Sequence, residues 1–202
     1  MFMKNFTRSI PAISVVEPRM TFTMPQPVTH GLVAGTLVKA TQGWVAVERL
    51  KIGDAVQTLD GGLARIHVLD RRMLTPQTDM ALIVVPGGCH GANSDLRLVP
   101  GQHLLIDTLD DERCNGARFA LVPAAALTID PLVRRHNPQT PVQVVTLMFA
   151  VEEVVLANSG VMIHCPGLID GAGRYPEHSY FPRLDILAAR KFLRHRATRH
   201  AV

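Results

Sequence analysis

The sequence predicts an all-β domain followed by a short C-terminal helix. Three observations carry that reading. From Gly35 onward the apolar residues come in short runs, each ended by Gly, Pro, Asn or Asp. One stretch, Leu63 to Asp70 (LARIHVLD), alternates apolar and polar residues as a half-buried strand does. Beyond a single turn, helical character appears only in Arg183 to His200.

The elements follow in order. Residues 1–30 contain Pro11, Pro18, Pro25 and Pro27, which rules out a long regular element and predicts an extended leader. Its apolar stretch is too short and interrupted for a secretory signal. Gly35 to Ala40 and Trp44 to Val47 are expected to pair across Thr41-Gln42-Gly43, with Gln-Gly as the hairpin turn. Gly53-Asp54 marks a bend, and Ala55 to Leu59 is a strand stopped by Asp60-Gly61-Gly62. Arg71 to Asp79 is polar and holds Pro76, so it reads as a loop or the edge of a ribbon.

Met80 to Val85 (MALIVV) is too short for an ordinary helix and rich in branched residues, hence a buried strand. Leu96 to Val99 and Leu104 to Asp107 bracket Pro100-Gly101-Gln102-His103. Asp107 to Gly116 is an acidic loop, and its Asp110, Asp111 and Glu112 read as a solvated charged loop. Phe119 to Pro123 is a strand, Ala124 to Leu127 one helical turn, and Arg134 to Pro141 an exposed loop. Val142 to Phe149, Val154 to Ala157 and Val161 to His164 complete the strands. In the tail, Leu184, Leu187 and Ala188 are expected on one helix face, with Ile186, Ala189 and Leu193 beside it.

Composition excludes several classes. With 47% hydrophobic and 19% charged residues, the chain is not intrinsically disordered. No apolar run is long enough for a transmembrane helix. Residues 183–202 carry six Lys/Arg and one acid, a charge of +5, so the other 182 residues sum to −1 of the total +4. The basicity therefore belongs to the tail, and it implies weak, salt-dependent contact with nucleic acid and no specific recognition. Three cysteines, Cys89, Cys114 and Cys165, form no disulfide framework and fit a reducing compartment. The pairs Cys89-His90 and His164-Cys165 lack the spacing of zinc ligands, so neither metal nor cofactor is expected. Neither a phosphate-binding glycine loop nor a Gly-x-Ser-x-Gly elbow occurs.

Four motifs stand in one order. The first is GLVAGTLVKATQGWVAVERLKIGDAV, from Gly31 to Val56. The second is Leu98-Val99-Pro100-Gly101-Gln102-His103, the third Leu121-Val122-Pro123-Ala124, and the fourth Val145 to Asn158. Together they resemble the Hint domain, the self-processing module of hedgehog proteins and inteins, in its bacterial hedgehog/intein-like group. The resemblance covers about residues 31–168, leaving a leader over 1–30 and a linker with a basic helix over 169–202. It implies a pseudo-twofold β horseshoe and an ancestral cleavage between His30 and Gly31.

In that family a cysteine attacks the carbonyl before it, because a thiolate is strongly nucleophilic near neutral pH. Gly31 stands at that position here. His103 matches the family histidine that polarises the amide or moves its proton, a contribution of roughly 10²- to 10⁴-fold. Pro100 replaces the family's hydroxyl residue, Thr146 its first later histidine, Ala150 its aspartate and Glu152 its second later histidine. His136-Asn137 is followed by Pro138 in a mid-domain loop, so full protein splicing is not expected.

The resemblance thus implies a site at Gly31, His103, Thr146 and Glu152 in a fold that has lost self-cleavage. Two alternatives stay open. One is autoprocessing by an unusual nucleophile such as Thr29 or Thr36, and the other is a non-catalytic module that binds a protein partner.

Overall fold

The structure is a computed structural model that describes residues 28–60, 62–76, 80–108, 116–158, 160–168 and 179–200. Most of the expected leader lies outside these residues, as do Asp110, Asp111, Glu112 and Cys114.

The strands are β1 (Leu32–Val33), β2 (Leu37–Ala40), β3 (Gly43–Ala46), β4 (Ala55–Gln57), β5 (Leu63–Arg65), β6 (Val68–Leu74) and β7 (Leu82–Val85). They continue as β8 (Leu96–Leu98), β9 (His103–Asp107), β10 (Phe119–Pro123), β11 (Arg134–His136), β12 (Val142–Met148), β13 (Glu153–Ala157) and β14 (Val161–Cys165). One helix, α1 (Ile186–His200), follows. The fold is therefore all-β with a single C-terminal α-helix, in two curled sheets.

The six-stranded sheet has the order β11-β7-β8-β1-β12-β6. The other runs β10-β9-β14-β13-β2-β4-β5, with β3 paired to β2. Each sheet mixes strands from early and late in the chain, so neither half can form its sheet alone. The main core joins them: Leu32, Leu98 and Val145 of the first sheet pack in one cluster with Val38, Leu104 and Ile163 of the second.

Several expectations are refined. The hairpin register pairs Ala40 with Gly43, so the loop is Thr41-Gln42 and Gly43 opens the second strand. Leu63 to Asp70 is broken at Ile66-His67 into β5 and β6. Ile66 is buried at the break, and both its backbone groups bond across to the Gly53-Asp54 bend. Arg71 to Leu74 belongs to β6 and forms the edge of the six-stranded sheet, as the ribbon-edge alternative had it.

Two expectations are corrected. Residues 134–136 were expected in a loop but form β11, an edge strand on β7 whose three residues are all exposed. With both faces in solvent there is no apolar alternation to read. In α1 the buried face is Ala189, Phe192 and Leu193, whereas Leu187 is 71% exposed. Phe192 anchors the helix in the main core.

This assignment makes a direct prediction. Phe192→Ala should cost about 3–5 kcal/mol, the range for emptying a buried aromatic site. Leu187→Ala should stay within about 0.5 kcal/mol. Urea unfolding of both variants checks which face docks.

Candidate functional site

The two sheets meet where the chain enters β1. Gly31 precedes that strand, which lies between β8 and β12, with Leu32 opposite both Leu98 and Val145. Thr146 follows Val145 on β12. Its Oγ1 lies 3.5 Å from the His30 carbonyl oxygen, a long contact. Gly31 has φ of +130°, a conformation L side chains rarely adopt. A Cβ built there would stand 2.6 Å from Val144 Cγ1, 3.0 Å from Thr146 Oγ1 and 3.3 Å from the Val145 carbonyl oxygen. The obstruction comes from buried β12, and Val144 is itself packed in a second core cluster with Val33, Leu82 and Val99.

Gln102 ties this strand to the other sheet. Its Oε1 accepts the Gly31 N–H at 2.8 Å. Its Nε2 donates to the carbonyls of His103 at 3.0 Å and His164 at 2.8 Å. The side chain is aimed by a tight turn, in which Gln102 N–H donates to the Val99 carbonyl. Pro100 still serves this turn, because its carbonyl accepts the Ala125 N–H. Gly101 allows the chain before Gly31 to pass close by: a Cβ there would lie 2.3 Å from the Thr29 carbonyl oxygen.

His103 opens β9 and His164 lies on β14, strands paired at Leu104 and Ile163. Their rings meet edge to face, with centroids 6.4 Å apart. His164 Nε2 is 3.1 Å from Glu152 Oε1, and the two side chains are 1% and 9% exposed. Arg183 Nη2 approaches the same nitrogen at 3.2 Å. A single ring nitrogen cannot donate to a carboxylate and accept from a guanidinium at once, so the two contacts belong to different tautomers. Glu152 also accepts from Ser179 Oγ and from the Tyr180 N–H at 3.3 Å.

The electrostatics follow from burial in a cationic setting. Burial, reinforced by the nearby Arg183 and His164 charges, lowers the His103 pKa to about 4. His30 is lowered for the same reasons, burial first, then His164, Arg72 and Arg183, with Asp70 opposing. Burial alone would raise Glu152, but hydrogen bonds from His164 and Ser179 outweigh it and hold the carboxyl below its ordinary range. The cleft thus offers a neutral imidazole at His103, with the Glu152 carboxylate and the Arg183 guanidinium gathered at His164. Among the described residues, no group of three or more His, Cys, Asp or Glu is placed to hold a metal ion.

Of the four residues singled out in the sequence, Gly31 and Thr146 are direct neighbours. Glu152 reaches His103 only through His164. Sequence reasoning did not assign Gln102, His164, Arg183 or His30 to the site. Gln102 was readable as the neighbour of His103 within one motif. His164 ends an apolar run, and Arg183 lies 80 positions after His103, so no local spacing marks either.

Two outcomes are expected here. Gln102→Leu leaves the buried Gly31 N–H and two carbonyls without their partner, and should cost at least about 2 kcal/mol in urea unfolding. The second outcome is a pH dependence. His103 has a folded pKa of about 4 against an ordinary 6.5, so the unfolded chain binds the proton first as pH falls. Its contribution to stability is complete above pH 6.5, declines between 6.5 and 4, and changes no further below. In the folded protein, histidine proton NMR should show the His103 ring still neutral at pH 5.

Comparison with known proteins gives a consistent picture. A family model described as a Hint domain matches residues 30–162. The fold is similar to that of a bacterial intein-like domain from Clostridium thermocellum, with 17% identity and a TM-score of 0.46, over 67% of this chain and 98% of that one. It is also similar to the AceL NrdHF class 3 split intein, at 12% identity and TM-score 0.45, over 69% and 99% of the two chains. A third is the MchDnaB-1 intein, at 14% identity and TM-score 0.43, over 66% and 98%. No curated protein matches the chain significantly.

Proposed function

This chain belongs to the Hint domain family, and we propose that it is a member whose cleft holds the His30–Gly31 peptide without cutting it. The observation that carries this reading is the backbone at Gly31. Hint self-cleavage begins when a side chain at this position attacks the preceding carbonyl. Glycine supplies no such group, and φ of +130° with Val144 Cγ1 2.6 Å from the Cβ position leaves little room for one. Thr146 Oγ1 faces the carbonyl oxygen rather than offering attack on the carbon. On this reading the cleft serves as a non-catalytic module. Gln102 holds the peptide N–H, and His103, His164 and Glu152 form the polar network behind it.

A second reading, self-cleavage by an unusual nucleophile, has one observation behind it. Thr29 Oγ1 is 3.1 Å from His30 Nδ1, and a His30 pKa lowered chiefly by burial leaves a neutral imidazole able to accept a proton.

Intact-mass spectrometry separates the two. Wild type incubated with dithiothreitol or hydroxylamine should remain one full-length species, because no thioester can form at a glycine. A discrete pair of fragments meeting near residue 30 would overturn the non-cleaving reading. Gly31→Cys alone should cleave barely or not at all. Gly31→Cys with Val144→Ala relieves the clash and should give slow, thiol-dependent cleavage after His30. Adding His103→Ala should reduce that cleavage by about 10²-fold or more. Indifference to His103→Ala would remove His103 from the proposed role.

A further inference from the structure

We propose that a cleft against α1 binds a small amphipathic carboxylate, a molecule with an apolar body and one anionic head. The cavity measures about 950 Å³, within the range of pockets that enclose small molecules. Its walls come from three directions. Strands β9 and β14 contribute Leu104, Ile106 and Met162, the 3-10 turn Ala124–Ile129 contributes Ile129, and α1 contributes Leu193. Neither Gly31, Gln102, His103 nor His164 lines it, so it is a second site and not an arm of the cleft at Gly31.

The charge at the cavity selects the head group. From Ile186 to Ala197, α1 carries Arg190, Lys191, Arg194 and Arg196 and no acid. Arg194 and Arg196 line the cavity. Arg196 is held in place by donating to the Asp107 carbonyl. The two carboxylates in the lining already have other partners. Asp107 Oδ2 lies 3.9 Å from Arg118 Nε. Asp130 accepts the Leu132 N–H at 2.9 Å and sits 3.2 Å from His90 Nε2. Guanidinium groups at an apolar space favour a carboxylate, which they bind by charge-assisted hydrogen bonds. His90, also in the lining, has φ of +49°, a strained backbone of the kind that accumulates at ligand clamps.

Titration calorimetry on the full chain, with sodium decanoate below its micellar range, tests the proposal. Saturable one-to-one binding is expected. Decan-1-ol and decyltrimethylammonium should bind at least about tenfold more weakly, since each lacks the anion. Arg194→Ala alters an exposed side chain and should weaken decanoate about tenfold while leaving decan-1-ol unchanged. Met162→Trp should fill the space and weaken both compounds, with circular dichroism reporting that the fold is intact. Equal affinity for decanoate and decan-1-ol would overturn the proposal, as would an Arg194→Ala variant with unaltered binding. Absence of saturable binding, or binding only to phosphatidylglycerol vesicles and not to monomeric decanoate, would overturn it as well.

Discussion

The three hydrogen bonds of the Gln102 amide are the interaction on which the rest of the cleft depends. One side chain, 2% exposed, satisfies the N–H that leads into β1 and the carbonyls of His103 and His164. Because β1 belongs to one sheet and β9 and β14 to the other, this amide ties the two sheets together where the chain enters β1. An amide is the side chain that fits, since it both donates and accepts without carrying charge into a buried place. The turn aiming it survives with proline at position 100 because what the turn needs there is a backbone carbonyl.

Behind that clamp a second polar cluster forms across neighbouring strands: Glu152 pairs with His164 of β14. Burial works against the Glu152 charge, and the hydrogen bonds from His164, Ser179 and the Tyr180 N–H keep the carboxylate ionised. Gly31 is different in kind. Its backbone lies in a region that L side chains rarely adopt, and Val144 of β12 packs against the space a Cβ would need. On the proposed reading, a missing nucleophile alone could be restored by one substitution, whereas a position crowded by a buried valine needs a second.

Much of the fold was legible because its strands are half or fully buried between Gly and Pro turns, which is the condition under which apolar runs and alternation appear. Where that condition fails, reading fails. The edge strand Arg134–His136 has no buried face and reads as a loop. The tail helix buries Phe192, but its many arginines blur the apolar stripe, and Leu187 attracted the assignment instead. In the cleft, the residues within motifs were legible, while His164 and Arg183 reach it only by strand pairing and chain return. The conformation of Gly31 was not legible, since a sequence records the absence of a side chain and not the shape of the backbone.

Position 31 strongly disfavours an L side chain in the native packing, and the unfolding free energy of Gly31→Ala tests this most directly. Strained left-handed backbone and a contact of 2.6 Å with Val144 Cγ1 should together cost at least about 2 kcal/mol. Part of that loss should be absent when the same substitution is made in a Val144→Ala background. A Gly31→Ala variant within about 0.5 kcal/mol of wild type would contradict the account, because a position that accepts alanine freely could also accept a nucleophile.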